Sequence, residues 1–470
     1  MNTDQNLFAG FAPVTKEQWK LQAMAETGSV PFDNLLWHTD EGFTVQPLYT
    51  AEDMEGLEDQ YTDLAAAERR WKNYVEVAVT TDEDAGNLAV AMKQNGAEGI
   101  LFQIADAGPH HFPVLLKGID PQETEISFGL AHHPADFFLA YLYYLEDRGL
   151  RSDRVKGFFS YDILRHWSVT GDKPDFGELA RLLIESQPYH GLKCLVTGSH
   201  EFVNAGCNVT QELAFTLHKL SQYIQLMHEE GITVAEVMDE LVLHIATGSD
   251  YFMEIAKLRA LKILLEEIQE FYGCETMAIP IISSSTDWNK TYYEPNLNLL
   301  RNTSEAMAAV IGGCDALMIR AHDACFSTPS AFSSRIALNT GNLLRFESYF
   351  DKVADPAAGS YYIENLTRML VVHTRELFRK IEAEGGYIRA FEKGIIQEAI
   401  RGTREKKVEE IAAGKRVFVG TNRYPDGNDL RIAQGSADGD PSLLPQLRAT
   451  VAAEAKRSNE NKLLQAKPII

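Results

Sequence analysis

The stretch CLVTGSHEFVNAGCNVTQELAFTLHKLSQYIQLMHEEGITVAEVMDELVLHIATG, residues 194–248, decides the fold. It opens with a short apolar run, CLVTGS (194–199), and closes with another, LVLHIATG (241–248). Between them TQELAFTLHKLSQYIQLMHEEG repeats apolar residues at i, i+3 and i+4 and ends on a glycine, the pattern of an amphipathic helix with a glycine C-cap. Strand, helix and strand in one such span form a βαβ unit, whose two strands pair in parallel.

The unit repeats outward in both directions. Upstream lie YVEVAVTT (74–81), GILFQIA (99–105), ISFGLA (126–131) and VKGFFSYD (155–162); downstream lie MAIPIIS (277–283) and ALMIRAHD (316–323). Helical periodicity fills the intervals. Eight units in about 250 residues match a (β/α)8 TIM barrel, so the fold class is α/β. An open, doubly wound sheet is the alternative, because periodicity does not show closure.

The flanks divide the chain. Residues 1–70 are read as an extended arm for subunit contact, 71–400 as the barrel, and 401–470 as a C-terminal helix with an extended tail. The arm's short aromatic segments, LFAGF, SVPFDNLLW and FTVQPLY, have few local partners and suit a segment that packs on another surface. Beyond Pro425 the apolar periodicity is too weak to build a second domain.

Composition narrows the function classes. With 45% hydrophobic and 24% charged residues, the profile is that of a globular protein. A formal charge of −23 argues against a nucleic-acid partner, which needs clustered Lys and Arg. The five cysteines lack C-x-x-C spacing, and the N-terminus lacks a basic segment followed by an apolar core. No apolar run approaches the roughly 20 residues that span a bilayer. The expectation is a cytoplasmic protein without membrane contact.

In a barrel the ends of the strands carry function. This reading selects His110 and His111, His132 and His133, Asp162, His200, His244, Ser283 to Ser285, and Arg320, His322 and Asp323. The His-His pairs lack the carboxylate partner and spacing of a metal site, so no metal is expected. No phosphate-binding glycine loop, G-x-S-x-G elbow or C-x-x-C pair appears. Arg320 is a candidate to hold a carboxylate or phosphate, with an ion pair to Asp323 or another nearby acid as the competing use.

Residues 283–365 add a resemblance. SSSTDWNKTYYEPNLNLLRNTSEAMAAVIGGCDALMIRAHD, SAFSSRIALNT and DPAAGSYYIENLT resemble the methylmalonyl-CoA mutase family of adenosylcobalamin enzymes. Matching positions include Asn296, Asn298, Arg301, Glu305, Gly312, Gly313, Phe332, Ser333, Arg335, Asn339, Asp355, Pro356 and Tyr361. VQPLYTAEDMEGL, NVTQELAF, MEIAKLRA and FVGTNRYP extend the likeness over most of the chain.

The resemblance implies a barrel that threads acyl-CoA, a radical started by homolysis of the cobalt–carbon bond, and interconversion of methylmalonyl-CoA and succinyl-CoA. It also implies a flavodoxin-like domain carrying the cobalt-binding histidine in D-x-H-x-x-G. None of the 13 histidines here has Asp two residues before it. The chain also ends where that domain would begin, so adenosylcobalamin is expected on a different subunit. Inside the barrel the aromatic and arginine-rich segment PYxTMYxxRPWTIRQY of active chains is missing. FDLxTHRGYDSD is replaced by FQIADAGPHHF, RTHxQTSG by ISSSTDW, and ISGYHxxEAGA by VTGSHEFVNAGCN. His200 matches the family histidine, but its Tyr neighbour is Ser199; alignment from Ala205-Gly206 puts Glu201 there instead.

Intact scaffold with missing catalytic motifs resembles the small, non-catalytic subunit of a heterodimeric mutase. On that likeness no residue is catalytic, and His200 is a vestige. The large subunit is the partner, and the arm residues Phe8, Phe11, Trp19 and Trp37 contact it. The alternative is a catalytic acyl-CoA mutase barrel served by a separate cobalamin-binding polypeptide. A third reading, an unrelated metal-dependent barrel, rests on the histidine pairs alone.

Overall fold

The computed structural model describes residues 10, 12, 14–28, 30–55, 70–105, 110–130, 134–172, 174–429, 431 and 442–465. Eight strand positions form one parallel ring: β1 (Lys72–Val79), β2 (Gly99–Ile104), β3 (Glu125–Leu130), β4 (Gly157–Ser160), β5 (Leu192–Lys193 and Leu195–Gly198), β6 (Leu241–Thr247), β7 (Ile281–Ser285) and β8 (Ala316–Met318). β5 is broken at Cys194. Its first piece pairs with β4 through Gly157↔Leu192, and its second with β6 through Leu195↔Leu241. At the other seam β8 pairs with β1 through Ala316↔Lys72. The sheet therefore closes into a barrel, which excludes the open-sheet alternative.

All eight expected strands are present with shifted ends. β7 begins at Ile281 rather than 277, one residue after Pro280, which has no N–H to give a ladder and only accepts, from the Leu243 amide at 2.9 Å. β8 ends at Met318, before the expected MIRAHD end, and Arg320 to Asp323 form a loop.

Helices cover the outside: α1 (Asp82–Gln94), α2 (Pro134–Asp147), α3 (Phe176–Ser186), α4 (Val209–Glu229), α5 (Tyr251–Phe271), α6 (Leu297–Gly312), α7 (Ala331–Phe346), α8 (Tyr361–Ala383), α9 (Ile395–Ala412) and α10 (Val451–Gln465). α4 starts where the sequence places it. Asn208 accepts from the Gln211 amide at 2.8 Å, and the Gln211 side chain accepts from the Asn208 amide at 3.1 Å, a reciprocal capping box. The main apolar core lies between ring and helices and includes Phe102, Phe128, Phe159, Leu213, Leu217 and Leu261, all fully buried.

The arm lies partly on its own barrel. Phe43, Val45 and Tyr49 are buried in the main core, and Asp40 pairs with Arg416 at 2.6 Å. The helix Lys16–Glu26 buries no side chain. At the other end, α9 runs through the expected boundary at 400, and α10 forms in the segment read as an extended tail. Among the described side chains, the buried residues along α10 are Glu454, Ser458 and Asn461, beside buried Thr450, so its inner face is polar and leaves no apolar periodicity to read.

Candidate functional site

The barrel axis is filled from below. Tyr74, Leu101, Phe158, Val196, Val242, Ile282, Ala316 and Met318 come from seven of the eight strands and form one inner cluster, each at most 5% exposed. Tyr74 faces Phe158 with 5.8 Å between ring centroids. Gly99 makes room for it, because a Cβ there would lie 2.3 Å from the Tyr74 ring. The Tyr74 hydroxyl donates to Glu125 at 2.5 Å, and Lys72 pairs with the same carboxylate. Burial, with the Glu125 charge beside it, pushes the phenol well above its usual pKa and keeps it a donor.

Above this plug sits a polar mouth. Gln103 donates to Glu76 at 2.8 Å, and Gly129 leaves space for its amide, since a Cβ there would lie 2.1 Å from Oε1. Arg320 pairs with Asp287 and lies 3.4 Å from Glu76. The acids that answer Arg320 are therefore Asp287 and Glu76 rather than Asp323. His200, on the first turn of His200–Asn204, has Nε2 2.6 Å from Ser284 Oγ. His244, on β6, has Nε2 2.9 Å from the same oxygen, and the two rings are 4.5 Å apart.

Both imidazoles are neutral at pH 7. Burial, then His244 and the charges of Arg165 and Arg320, hold His200 well below the usual histidine range. Burial, with Arg165 and Arg320, pushes His244 down to about 3. Ser284 has one proton and can give it to one ring while accepting from the N–H of the other. This His–Ser–His chain can relay a proton between its members, yet neither Nε2 is left open to a further group.

Beneath the rim the charges are buried and paired. Asp162 accepts from the Gly198 amide at 3.0 Å, the Arg165 amide at 2.9 Å and the Tyr223 hydroxyl at 2.6 Å, and pairs with Lys219. Burial raises its pKa, but the Lys219 charge and these donors prevail and hold it low. Lys219 also pairs with Glu201, which is fully buried. His200, not Glu201, thus occupies the mouth. Ser199 donates to Glu212 at 2.7 Å and accepts from the Ala246 amide at 2.9 Å, so the residue in the family's Tyr position ties β5 to β6. Burial raises Glu212 to about 7 against the pull of Lys257, 2.9 Å away.

The structure brings His200, His244, Ser284 and Arg320 together and disperses the rest. His110 sits 2.7 Å from Asp82 at the start of α1, and the His111 amide donates to that carboxylate at 2.6 Å. His132 and His133 lie outside the described residues. Ser283 bonds Thr247, Ser285 accepts from the Arg320 amide at 3.0 Å, and the His322 carbonyl accepts from Asn298 at 3.0 Å. Glu76, Gln103 and Asp287 are site members that sequence reading missed. Glu76 alternates with Val75 and Val77 on β1, a charged residue on the inward face, which was the available signal.

Of the arm residues, Trp19 is half-buried against Phe32, with ring centroids 6.4 Å apart, and Trp37 is 42% exposed. Phe8 and Phe11 lie outside the described residues. Among the described residues no group of three or more His, Cys, Asp or Glu is placed to hold a metal ion, and no helix is long and apolar enough to cross a membrane.

Fold and site together define a closed parallel α/β barrel whose axis is shut below a hydrogen-bonded, ion-paired mouth. A family model described as methylmalonyl-CoA mutase matches residues 91–466. A methylmalonyl-CoA mutase small subunit of Porphyromonas gingivalis is 31% identical over 92% of this chain and 74% of its own length. A small subunit from Streptomyces virginiae is 27% identical over 98% of this chain and 79% of its own length. A large subunit from the same species is 26% identical over 91% of this chain and 65% of its own length. The chain belongs to the methylmalonyl-CoA mutase family.

That family implies adenosylcobalamin. At the mouth both imidazole Nε2 atoms are engaged by Ser284, and the carboxylates of Glu76 and Asp287 face Arg320. These residues do not fit a ligand set for cobalt.

Proposed function

We propose that this chain is the small, non-catalytic subunit of a heterodimeric methylmalonyl-CoA mutase. Its partner is the homologous large subunit, which binds adenosylcobalamin and interconverts methylmalonyl-CoA and succinyl-CoA. The observation that carries this reading is the filled axis. A barrel that processes acyl-CoA along its axis needs an open bore, and here Tyr74, Phe158 and their neighbours occupy it. The same observation weighs against a catalytic barrel served by a separate cobalamin protein. Five free cysteines agree with a reducing, cytoplasmic setting. The exposed Trp37 and the helix Lys16–Glu26, with no buried side chain, are offered to the partner along with Trp19, Phe8 and Phe11.

The test is to purify the chain alone and together with its large subunit and to assay isomerisation with added adenosylcobalamin. The pair turns over and the lone chain does not. Turnover by the lone chain, or failure of the two chains to co-purify, refutes the reading.

A further inference from the structure

We propose that the outward face of α7 and the turn after it form a docking surface for a second, homologous barrel, the large subunit; this inference rests on the small-subunit reading above. α7 has two unlike faces. Ser333, Ser334, Ala337, Leu338, Gly341 and Leu344 are buried against the barrel. Phe332, Leu343 and Phe346 are 70%, 48% and 65% exposed. At about 100° per residue these three point within a sector of roughly 60° on one side of the helix, Leu343 and Phe346 adjacent and Phe332 about 16 Å away toward the N-terminus, with Asn339 between. Tyr349 and Val353, 62% and 55% exposed, continue the apolar segment past the helix end.

Isolated apolar side chains on a surface are ordinary, but a stripe of them on one side of a helix is not. Three aromatic rings about two-thirds exposed present roughly 400 Å² by themselves. That is about half of the ~800 Å² that each partner gives to a stable interface. Leu343 and Val353 add to it.

The stripe is also held rigid. The Arg345 guanidinium lies 5.0 Å from the Trp71 ring centroid, donates to the Trp71 carbonyl, and bonds Glu98 at 2.8 Å. Asn342 accepts from Asn73 at 3.0 Å. α7 is thereby fixed to β1, and docking against it has little ordering cost. A relative of the large-subunit type aligns with 91% of this chain, so both partners share the barrel plan. Two like barrels associate most simply about a quasi-two-fold axis, each offering the corresponding face.

The test uses the full-length chain and its large subunit. Wild type binds, and hydrogen exchange of residues 331–353 slows on binding. The double variant Phe332→Glu/Phe346→Glu binds at least 100-fold more weakly, while its thermal midpoint alone equals that of wild type. Should this variant fold poorly, Phe332→Ser/Phe346→Ser replaces it, and the exchange measurement on wild type stands by itself. Binding by the glutamate variant within threefold of wild type, or unchanged exchange at 331–353, overturns the surface and leaves the subunit reading intact. Absence of binding by wild type overturns both. A homodimer of this chain through the stripe, with heterodimer formation insensitive to the substitutions, also overturns the proposal.

Discussion

Replacing His200 by Ala separates a working site from a vestige. In the structure the His200 side chain hydrogen-bonds Ser284 at 2.6 Å, and burial, His244 and nearby arginines keep it neutral. Loss of one such hydrogen bond removes about 1 kcal/mol of stability, and Ser284 keeps His244 as its other partner at 2.9 Å. A general acid or base would matter far more: its removal costs about 10²- to 10⁴-fold in rate, or roughly 3–5 kcal/mol of barrier. The assay is turnover of methylmalonyl-CoA by the assembled heterodimer, with co-purification and thermal midpoint as controls. The expected result is turnover within twofold of wild type. A fall of 100-fold or more in an intact heterodimer would falsify the vestigial reading, because chemistry would then pass through this barrel despite its filled axis.

Further outcomes follow from the same geometry. Tyr74→Ala removes a ring at the centre of the plug and strips Glu125 of its hydroxyl donor, so urea denaturation registers a loss of about 3–5 kcal/mol, and a loss below 1 kcal/mol contradicts a packed axis. Lys219→Met leaves Asp162 and Glu201 buried without their cation and destabilises by about 3–5 kcal/mol; adding Glu201→Gln restores part of this, and a neutral single variant shows the pairing to be idle. For His244, folded at about 3 against an ordinary 6.5, the folded state resists protonation. Its contribution is intact above pH 6.5 and is lost as pH falls from there toward 3, by at most about 1.4 kcal/mol per unit. Glu212, raised to about 7 from 4.5, runs the other way and favours folding as pH falls from 7 to 4.5. The stability of wild type relative to His244→Phe therefore declines between pH 7 and 5, and relative to Glu212→Gln it rises; parallel curves in either pair show that the residue is not titrating as its surroundings require.

Much of the fold is legible because a barrel repeats. Each strand is a short apolar run, each main helix has a 3.6-residue period, and closure is the remaining step. Closure itself lies in pairings between distant residues, such as Ala316 with Lys72, which no local pattern records. α10 escaped because its inner face carries Glu454, Ser458 and Asn461, polar residues that leave no apolar period; Arg448 and Thr450 bond Glu454, and Asn461 donates to the Asp429 and Arg431 carbonyls. The site was half legible. His200, His244, Ser284 and Arg320 stand at strand ends and could be named from position. Asp287 follows a strand whose end was placed too early, and Glu76 is masked by the apolar residues on either side of it.

On the proposed small-subunit reading, the plug and the mouth weigh against catalysis here in two independent ways. Tyr74 shuts the axis by a chain of dependencies, Gly99 giving space, Glu125 fixing the hydroxyl and Lys72 balancing the charge, so more than one residue type had to be in place to build it. At the mouth, Ser284 occupies both imidazoles, and Glu76 with Asp287 occupies the arginine, so opening the axis alone would not free a group to act. The two features make a combined expectation. A variant with the bore cleared, Tyr74→Gly with Phe158→Ala, should still show no isomerisation when supplied with acyl-CoA and adenosylcobalamin, because the mouth remains closed on itself. Activity gained by clearing the bore alone would mean that the plug is the whole obstacle and that the mouth retains its chemistry.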